Sequence, residues 1–327
     1  MDTTSNGTTT TLWNQTILIN RTELRSRIVM PPMATNQSVA GHVEPAHIEH
    51  YRARAANGEL GLIITEHLAP TAVGRLTATQ LSIADDDDVE GLAELVAVIH
   101  GTSPGIKVFA QLNHAGAMAL SPDRVAPSAG DLGKGPARAL TVGEIEAIEV
   151  AFVASAMRAK AAGYDGVEIH SAHGYLLNQF LSPLTNHRDD AYGSRSCGSR
   201  LRIHLETVAA IRDAVGEDYP VAVRLGGCDY LEGGNTIADA VEAAQLLEAA
   251  GVDLLDLSGG ICRYTREGHT EPGYFGDMSR AVKEAVDVPV LVTGGVQTLG
   301  QAEDLLQEGV ADLIGIGRAL LHDPHLA

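Results

Sequence analysis

The feature that most limits what this chain can fold into is an eightfold alternation. Short apolar runs rich in β-branched residues recur at Ile28–Met30, Gly61–Thr65, Lys107–Leu112, Gly166–His170, Val221–Leu225, Asp253–Ser258, Val288–Thr293 and Asp312–Gly317. Stretches with helical spacing separate them, near 45–57, 88–100, 142–162, 199–215, 236–250, 277–286 and 299–308. Runs of this type predict strands buried on both faces, hence a parallel sheet with helical crossovers. Eight such units predict closure into one (β/α)8 TIM barrel, a single domain over residues 12–327. No G-x-G-x-x-G follows the first run, which counts against a dinucleotide-binding open sheet. Residues 1–11, small, polar and Thr-rich, read as a disordered tail. Only Ala319–Ala327 follow the eighth run, so the last helix is expected to be short or truncated.

Local chemistry supports several boundaries. Thr141-x-x-Glu144 forms a capping box ahead of the longest helical stretch, and Ala162-Gly163, Ala250-Gly251 and Glu308-Gly309 close helices before strands. The acids Asp85–Asp88 suit the positive end of a helix dipole, and they lack the alternating spacing of a calcium loop. A net charge of −19 argues against nucleic acid and anionic membrane as partners, leaving a small-molecule substrate, with homo-oligomerisation open. Cys197, Cys228 and Cys262 are too few and scattered for a disulfide framework and fit reduced thiols in the cytoplasm. No secretion leader or membrane-spanning apolar run is apparent.

In a barrel the long connections after strands three, four and six (113–140, 171–198 and 259–276) gather at the strands' C-terminal face, where active sites form. The residues at those tips are therefore the candidates. Strand one ends in Met30-Pro31-Pro32-Met33-Ala34, strand two in Glu66-His67 and strand three in Gln111-Leu112-Asn113-His114. Glycines after strands seven and eight (Gly294, Gly295, Gly315, Gly317), with Arg318, favour a phosphate-bearing ligand, because backbone N–H groups can close on it and Arg adds a bidentate donor. His170-x-x-His173 reads three ways. It is half of a metal site completed by Glu66, Glu168 or His114, or a pair of neutral donors to a substrate oxygen beside Tyr175, or a pair in which one histidine is a core spacer. Arg224, a lone charge on an apolar strand, calls for an anionic partner: a ligand, or a neighbouring acid such as Glu168. Arg263, Tyr264, Arg266 and His269 read first as a solvated loop, with anion recognition as the sharper alternative.

At these residues the chain resembles the old yellow enzyme family, over about Leu12 to the end. The likeness rests on Arg27-Ile28-Val29-Met30-Pro31-Pro32-Met33, Gln111-Leu112-Asn113-His114-Ala115-Gly116 and Ile316-Gly317-Arg318, and above all on an HxxHGY…FLSPxxNxRxDxYG run from His170 to Gly193. The resemblance implies FMN over the barrel mouth, reloaded by NADH or NADPH, and hydride transfer to the activated C=C bond of an α,β-unsaturated carbonyl compound. It implies that Pro31, Pro32, Met33 and Ala34 support the flavin, with His67 beside it. Gln111 and Arg224 would bind its pyrimidine edge, and Gly295, Gly317 and Arg318 its phosphate. His170 and His173 would bind the substrate oxygen, Tyr175 would supply a proton, and Asn36 stands where some relatives have a substrate-contacting Tyr. Ala34, Ala117 and His67 depart from common family choices. Two alternatives stand beside this reading: a metal-dependent lyase or hydrolase using His170 and His173, and a flavin-binding protein that no longer turns over.

Overall fold

A computed structural model describes residues 11–193 and 195–325; of the expected tail, residues 1–10 lie outside them. Eight strands close a parallel barrel in sequence order. They are β1 (Ile28–Met30), β2 (Leu60–Leu68), β3 (Lys107–Leu112), β4 (Gly166–Ser171), β5 (Val221–Cys228), β6 (Leu254–Gly259), β7 (Val290–Thr293) and β8 (Leu313–Gly315). Outside run α1 (Pro45–Ala55), α2 (Val89–Thr102), α3 (Val142–Ala161), α4 (Arg202–Val215), α5 (Ile237–Ala249), α6 (Gly276–Lys283), α7 (Leu299–Gln307) and the five-residue α8 (Arg318–His322). The capping box at α3 forms as expected: Thr141 Oγ1 accepts from Glu144 N while Glu144 accepts from Thr141 N. The acids before α2 bind protein groups: Asp88 accepts from Ser82 Oγ and from Asp85 N, and Asp86 pairs with Arg158. No helix of the described residues is long and apolar enough to cross a membrane.

Period-two alternation divides the barrel interior into layers. Val29, Leu62, Ile64, Phe109, Ala222, Leu254, Leu291 and Leu313 form an apolar cluster that is completely buried. Its floor is a hairpin that the sequence reading omitted, Ile17–Ile19 paired antiparallel with Thr22–Leu24, whose Ile17, Ile19 and Leu24 pack upward into it. Two residues further along β3, β5, β6 and β7, and on β4 between β3 and β5, the interior becomes polar: Gln111, Glu168, Arg224, Asp256 and Thr293. Register sets them side by side, Gln111 opposite Glu168 and Arg224 opposite Asp256. The apolar layer fixes the barrel, and the polar layer above it faces the mouth.

Strands β2 and β5 run three residues past the expected ends because each carries a register shift, at Thr65/Leu68 and at Leu225/Cys228. The loop after β3 folds into a small sheet of Val125–Ala126, Pro136–Ala139 and Gly130–Asp131. The loop after β4 carries two short helices, Leu176–Leu181 and Cys197–Arg200.

Candidate active site

A cavity of about 1600 Å³ opens at the C-terminal ends of the strands. Pro31, Pro32, Met33, Ala34, His67, Gln111, His170, His173, Tyr175, Arg224, Gly295, Gly317 and Arg318 all line it. Asn36 does not: it is exposed and takes a left-handed backbone (φ 56). Tyr264, Arg266 and His269 line the cavity, so the loop after β6 forms a wall and is more than a solvated connection.

The cavity floor is the polar layer. Gln111 Nε2 donates to Glu168 Oε1 at 2.8 Å, and Arg224 Nε lies 3.1 Å from Asp256 Oδ2. The acid that pairs with Arg224 is therefore Asp256 and not Glu168. Asp256 was missed, although an acid at an alternate position of an apolar strand is the same signal that exposed Arg224. Burial drives both carboxyls upward, Glu168 well above the ordinary range, reinforced by Asp256, and Asp256 to about 6 despite the attraction of Arg224. Both acids lie in the field of one cation, and the burial of the pair favours holding a proton between them. The Arg224–Asp256 contact is an ion pair without a well-aligned hydrogen bond, and Arg224 and Thr293 both line the cavity, which leaves polar capacity for a ligand.

One wall carries the histidines and a phenol. The rings of His170 and His173 meet edge to face at 5.0 Å, those of His170 and Tyr175 likewise at 5.0 Å, and His67 lies 6.0 Å from Tyr175. His170 Nδ1 accepts from Ala172 N (3.3 Å), which assigns its proton to Nε2. Asn113 Nδ2 donates to His67 Nδ1 (2.9 Å), with the same consequence. His173, at φ 61, is fixed by Ser258 Oγ at 2.8 Å from Nε2. Burial first, then the charge of neighbouring groups including Arg224, holds His170 and His173 well below the usual imidazole range, and His67 at about 4. Burial raises the Tyr175 phenol. The wall therefore presents neutral hydrogen-bond donors throughout the physiological range.

The specific run after β4 serves mainly as scaffold. Beyond His170, His173 and Tyr175, its buried members hold the chain. Asn178 accepts from Gly174 N and donates to Gly226 O, Gln179 donates to Gly174 O, and Asn186 donates to Phe180 O and Tyr192 O. Ser182 donates to Asp229, which also accepts from Asn235 N and Ile261 N, tying the loops after β4, β5 and β6 together.

Glu66 anchors the opposite rim. It accepts from Thr35 N (3.0 Å) and Thr35 Oγ1 (2.7 Å), clamping the Pro31–Ala34 segment, and burial raises its carboxyl to about 7. A carboxyl whose folded pKa exceeds its unfolded value favours folding below the unfolded value and loses that contribution as pH rises through the folded one. Glu66→Gln keeps an acceptor for Thr35 N and a donor for its hydroxyl. It is expected to match the parent's thermal stability at pH 5 and to exceed it at pH 8, by up to about 3 kcal/mol. An equal loss of Tm at both pH values would refute this.

At the tips of β7 and β8 the backbones close in. Gly294 and Gly295 take φ 147 and 71, and a Cβ on Gly294 would stand 3.0 Å from the Tyr274 ring. Arg318 has no acidic partner among the described residues; its Nη2 donates to Tyr274 Oη at 3.4 Å. Side-chain-free backbone beside an uncommitted guanidinium suits a phosphate, while the polar floor suits the edge of a planar heterocycle. These residues fit FMN. A metal does not find a comparable set. Among the described residues no three His, Cys, Asp or Glu side chains are grouped to hold an ion, and Glu66 and Glu168 are already bound to Thr35 and Gln111.

Comparisons agree with this chemistry. A profile of the NADH:flavin oxidoreductase / NADH oxidase family matches residues 15–327. The chain is 41% identical to an NADH oxidase of Thermoanaerobacter brockii over 92% of its own length and 48% of that protein, so it spans about half of that relative. It is 41% identical to an NADPH dehydrogenase of Halalkalibacterium halodurans, covering 92% of this chain and 88% of the relative. Among solved structures, morphinone reductase in complex with tetrahydroNAD superposes with a TM-score of 0.82 at 26% identity, over 96% of this chain and 88% of that one. An old yellow enzyme homologue from Zymomonas mobilis gives 0.80 at 26%, over 96% and 90%. The chain therefore belongs to the NADH:flavin oxidoreductase / NADH oxidase family, the old yellow enzyme group of FMN-dependent oxidoreductases that draw on NADH or NADPH.

Proposed function

We propose that this chain reduces C=C bonds conjugated to a carbonyl at the expense of NADH or NADPH. The observation that carries the reading is the neutral donor set of His170, His173 and Tyr175 on one wall of the cavity whose floor holds Gln111 and Arg224. Pro31–Ala34 and His67 would flank the cofactor, Gln111 and Arg224 would take its pyrimidine edge, and Gly294, Gly295, Gly317 and Arg318 its phosphate. When bound, FMN supplies a hydride carrier between the nicotinamide and the substrate's β-carbon.

The chain's own residues do the rest. His170 Nε2–H and the His173 ring, fixed by Ser258, would receive the carbonyl oxygen on which negative charge grows; such a donor contributes about 3–4 kcal/mol to rate when it is pre-positioned. Tyr175, kept protonated by burial, would give a proton to the α-carbon. The relative named morphinone reductase supports a substrate of the enone type.

The purified protein is expected to be yellow, to bleach anaerobically on titration with NADH or NADPH, and to regain colour on addition of cyclohexenone. Bleaching by a nicotinamide followed by recovery with oxygen but with no enone would overturn the substrate assignment. A colourless protein with stoichiometric zinc would overturn the whole reading.

A further inference from the structure

The chain has 19 arginines in a background of 42 acids, and ordinarily each guanidinium finds an oxygen. Arg263 is the exception. Among the described residues its guanidinium meets only the Met118 thioether, Nη2 lying 4.0 Å from Sδ. Met118 belongs to the small apolar cluster against which Tyr175 packs. The next residue, Tyr264, lies edge to face on His173 at 5.9 Å and lines the cavity. Arg263 and Tyr264 thus frame the donor wall from above, one near Tyr175 and the other on His173.

The position is held deliberately by the backbone. Arg263 N donates to Gly260 O (2.9 Å), and its carbonyl comes so close to Gly259 that a Cβ there would stand 1.9 Å away. Arg263 itself takes φ 66, a left-handed conformation that Gly adopts freely and a long side chain does not. Arg263 is thus exposed and held in an unfavourable backbone, its guanidinium without an oxygen partner among the described residues, at the edge of a cavity that its neighbours Cys262 and Tyr264 line, so its charge is available to an anion from outside.

We propose that Arg263 is a specificity-determining residue that binds a carboxylate carried by the substrate, so that the preferred substrates are α,β-unsaturated carbonyl compounds bearing an acidic group. This rests on the ene-reductase reading above. Its placement beside Tyr175 favours the substrate over the nucleotide as the source of the anion. The charge of Arg263 already reaches this wall: with burial acting first, it adds to the depression of His173 and opposes the upward shift of Tyr175.

The test compares a cyclohexenone carrying an acetate side chain with the methyl ester of the same compound. In the parent holoenzyme kcat/KM should favour the acid and fall with added salt for the acid alone. Arg263→Gln should lower the acid-to-ester ratio by at least about tenfold, and Arg263→Lys should retain part of it, as expected when a charge-assisted bidentate contact becomes a point charge. The dissociation constant of the saturated acid, read from the absorbance of the oxidised holoenzyme, should rise in parallel. An unchanged ratio, an equal fall for both compounds, or a defect confined to reduction by NADPH would overturn the assignment. If neither compound is reduced by the parent, the ene-reductase reading fails, and the two dissociation constants still judge Arg263 alone.

Discussion

Arg224→Met is expected to lower stability by about 3–5 kcal/mol at pH 8, the loss typical when one partner of a buried ion pair is removed. Arg224 and Asp256 are almost wholly enclosed, and Glu168, also enclosed, lies within the electrostatic reach of the same cation. Methionine fills the volume but leaves Asp256 with no counter-charge. Asp256, already raised to about 6 with the arginine present, then rises further. Its folded pKa lies above the unfolded value, so its contribution is present in acid and lost as pH climbs through that value. The destabilisation by Arg224→Met should therefore be small at pH 5 and large at pH 8. Adding Asp256→Asn should recover much of the deficit at pH 8. Thermal melts of the parent, the single variant and the double variant at both pH values decide it. A deficit that is independent of pH, or that the second substitution leaves untouched, would show that Arg224 acts by packing alone. Because Arg224 also lines the cavity, the single variant should be purified with less FMN even where it stays folded.

Much of this was readable in the chain, for reasons that differ between elements. Strands such as Lys107–Leu112 and Gly166–Ser171 stood out because burial on both faces leaves nearly uninterrupted apolar runs, and their tips follow from barrel geometry. Gln111, His170, Arg224 and Arg318 were found because polar groups at the ends of apolar strands need a reason to be there. The hairpin at Ile17–Leu24 was not found: its strands are three residues each, too short for periodicity, and its role is visible only once the barrel has a lower end to close. The extensions of β2 and β5 depend on bulges, which leave no pattern in hydrophobicity. Asn36 was placed by position in a motif, whereas in the structure it is exposed, left-handed and outside the cavity lining. The pairing of Arg224 with Asp256 rather than Glu168 depends on strand register, a long-range property that composition does not carry. The same holds for the buried amides Asn178, Gln179 and Asn186, whose motif carries the family resemblance and which hold loops in place.

Tyr175→Phe is expected to slow reoxidation of the holoenzyme by an enone by about 10²–10⁴-fold, the range for removal of a positioned proton donor. Reduction by NADH or NADPH should change only a few-fold, because no proton from the phenol is needed in that half of the cycle. The substitution removes one oxygen and keeps the ring that packs against His170 and His67, so fold and FMN content should be retained. The pH profile separates a chemical role from a structural one. Burial holds Tyr175 protonated and keeps His170 and His173 neutral, so none of the three changes charge between about pH 6 and 9, and the parent's enone half-reaction should be flat there as far as they are concerned. In Tyr175→Phe the proton must come from solvent, and the residual rate should fall as pH rises. His170→Ala gives the complementary result: loss of one donor to the carbonyl oxygen should cost about 10²–10³-fold in the same half-reaction, together with weaker enone binding that Tyr175→Phe does not show. Anaerobic stopped-flow traces of the two half-reactions, recorded separately, provide the measurement. If Tyr175→Phe reoxidised at the parental rate, the phenol would not be the proton source. If the parent itself proved yellow and reducible yet inert to every enone, the neutral donor wall would serve another acceptor.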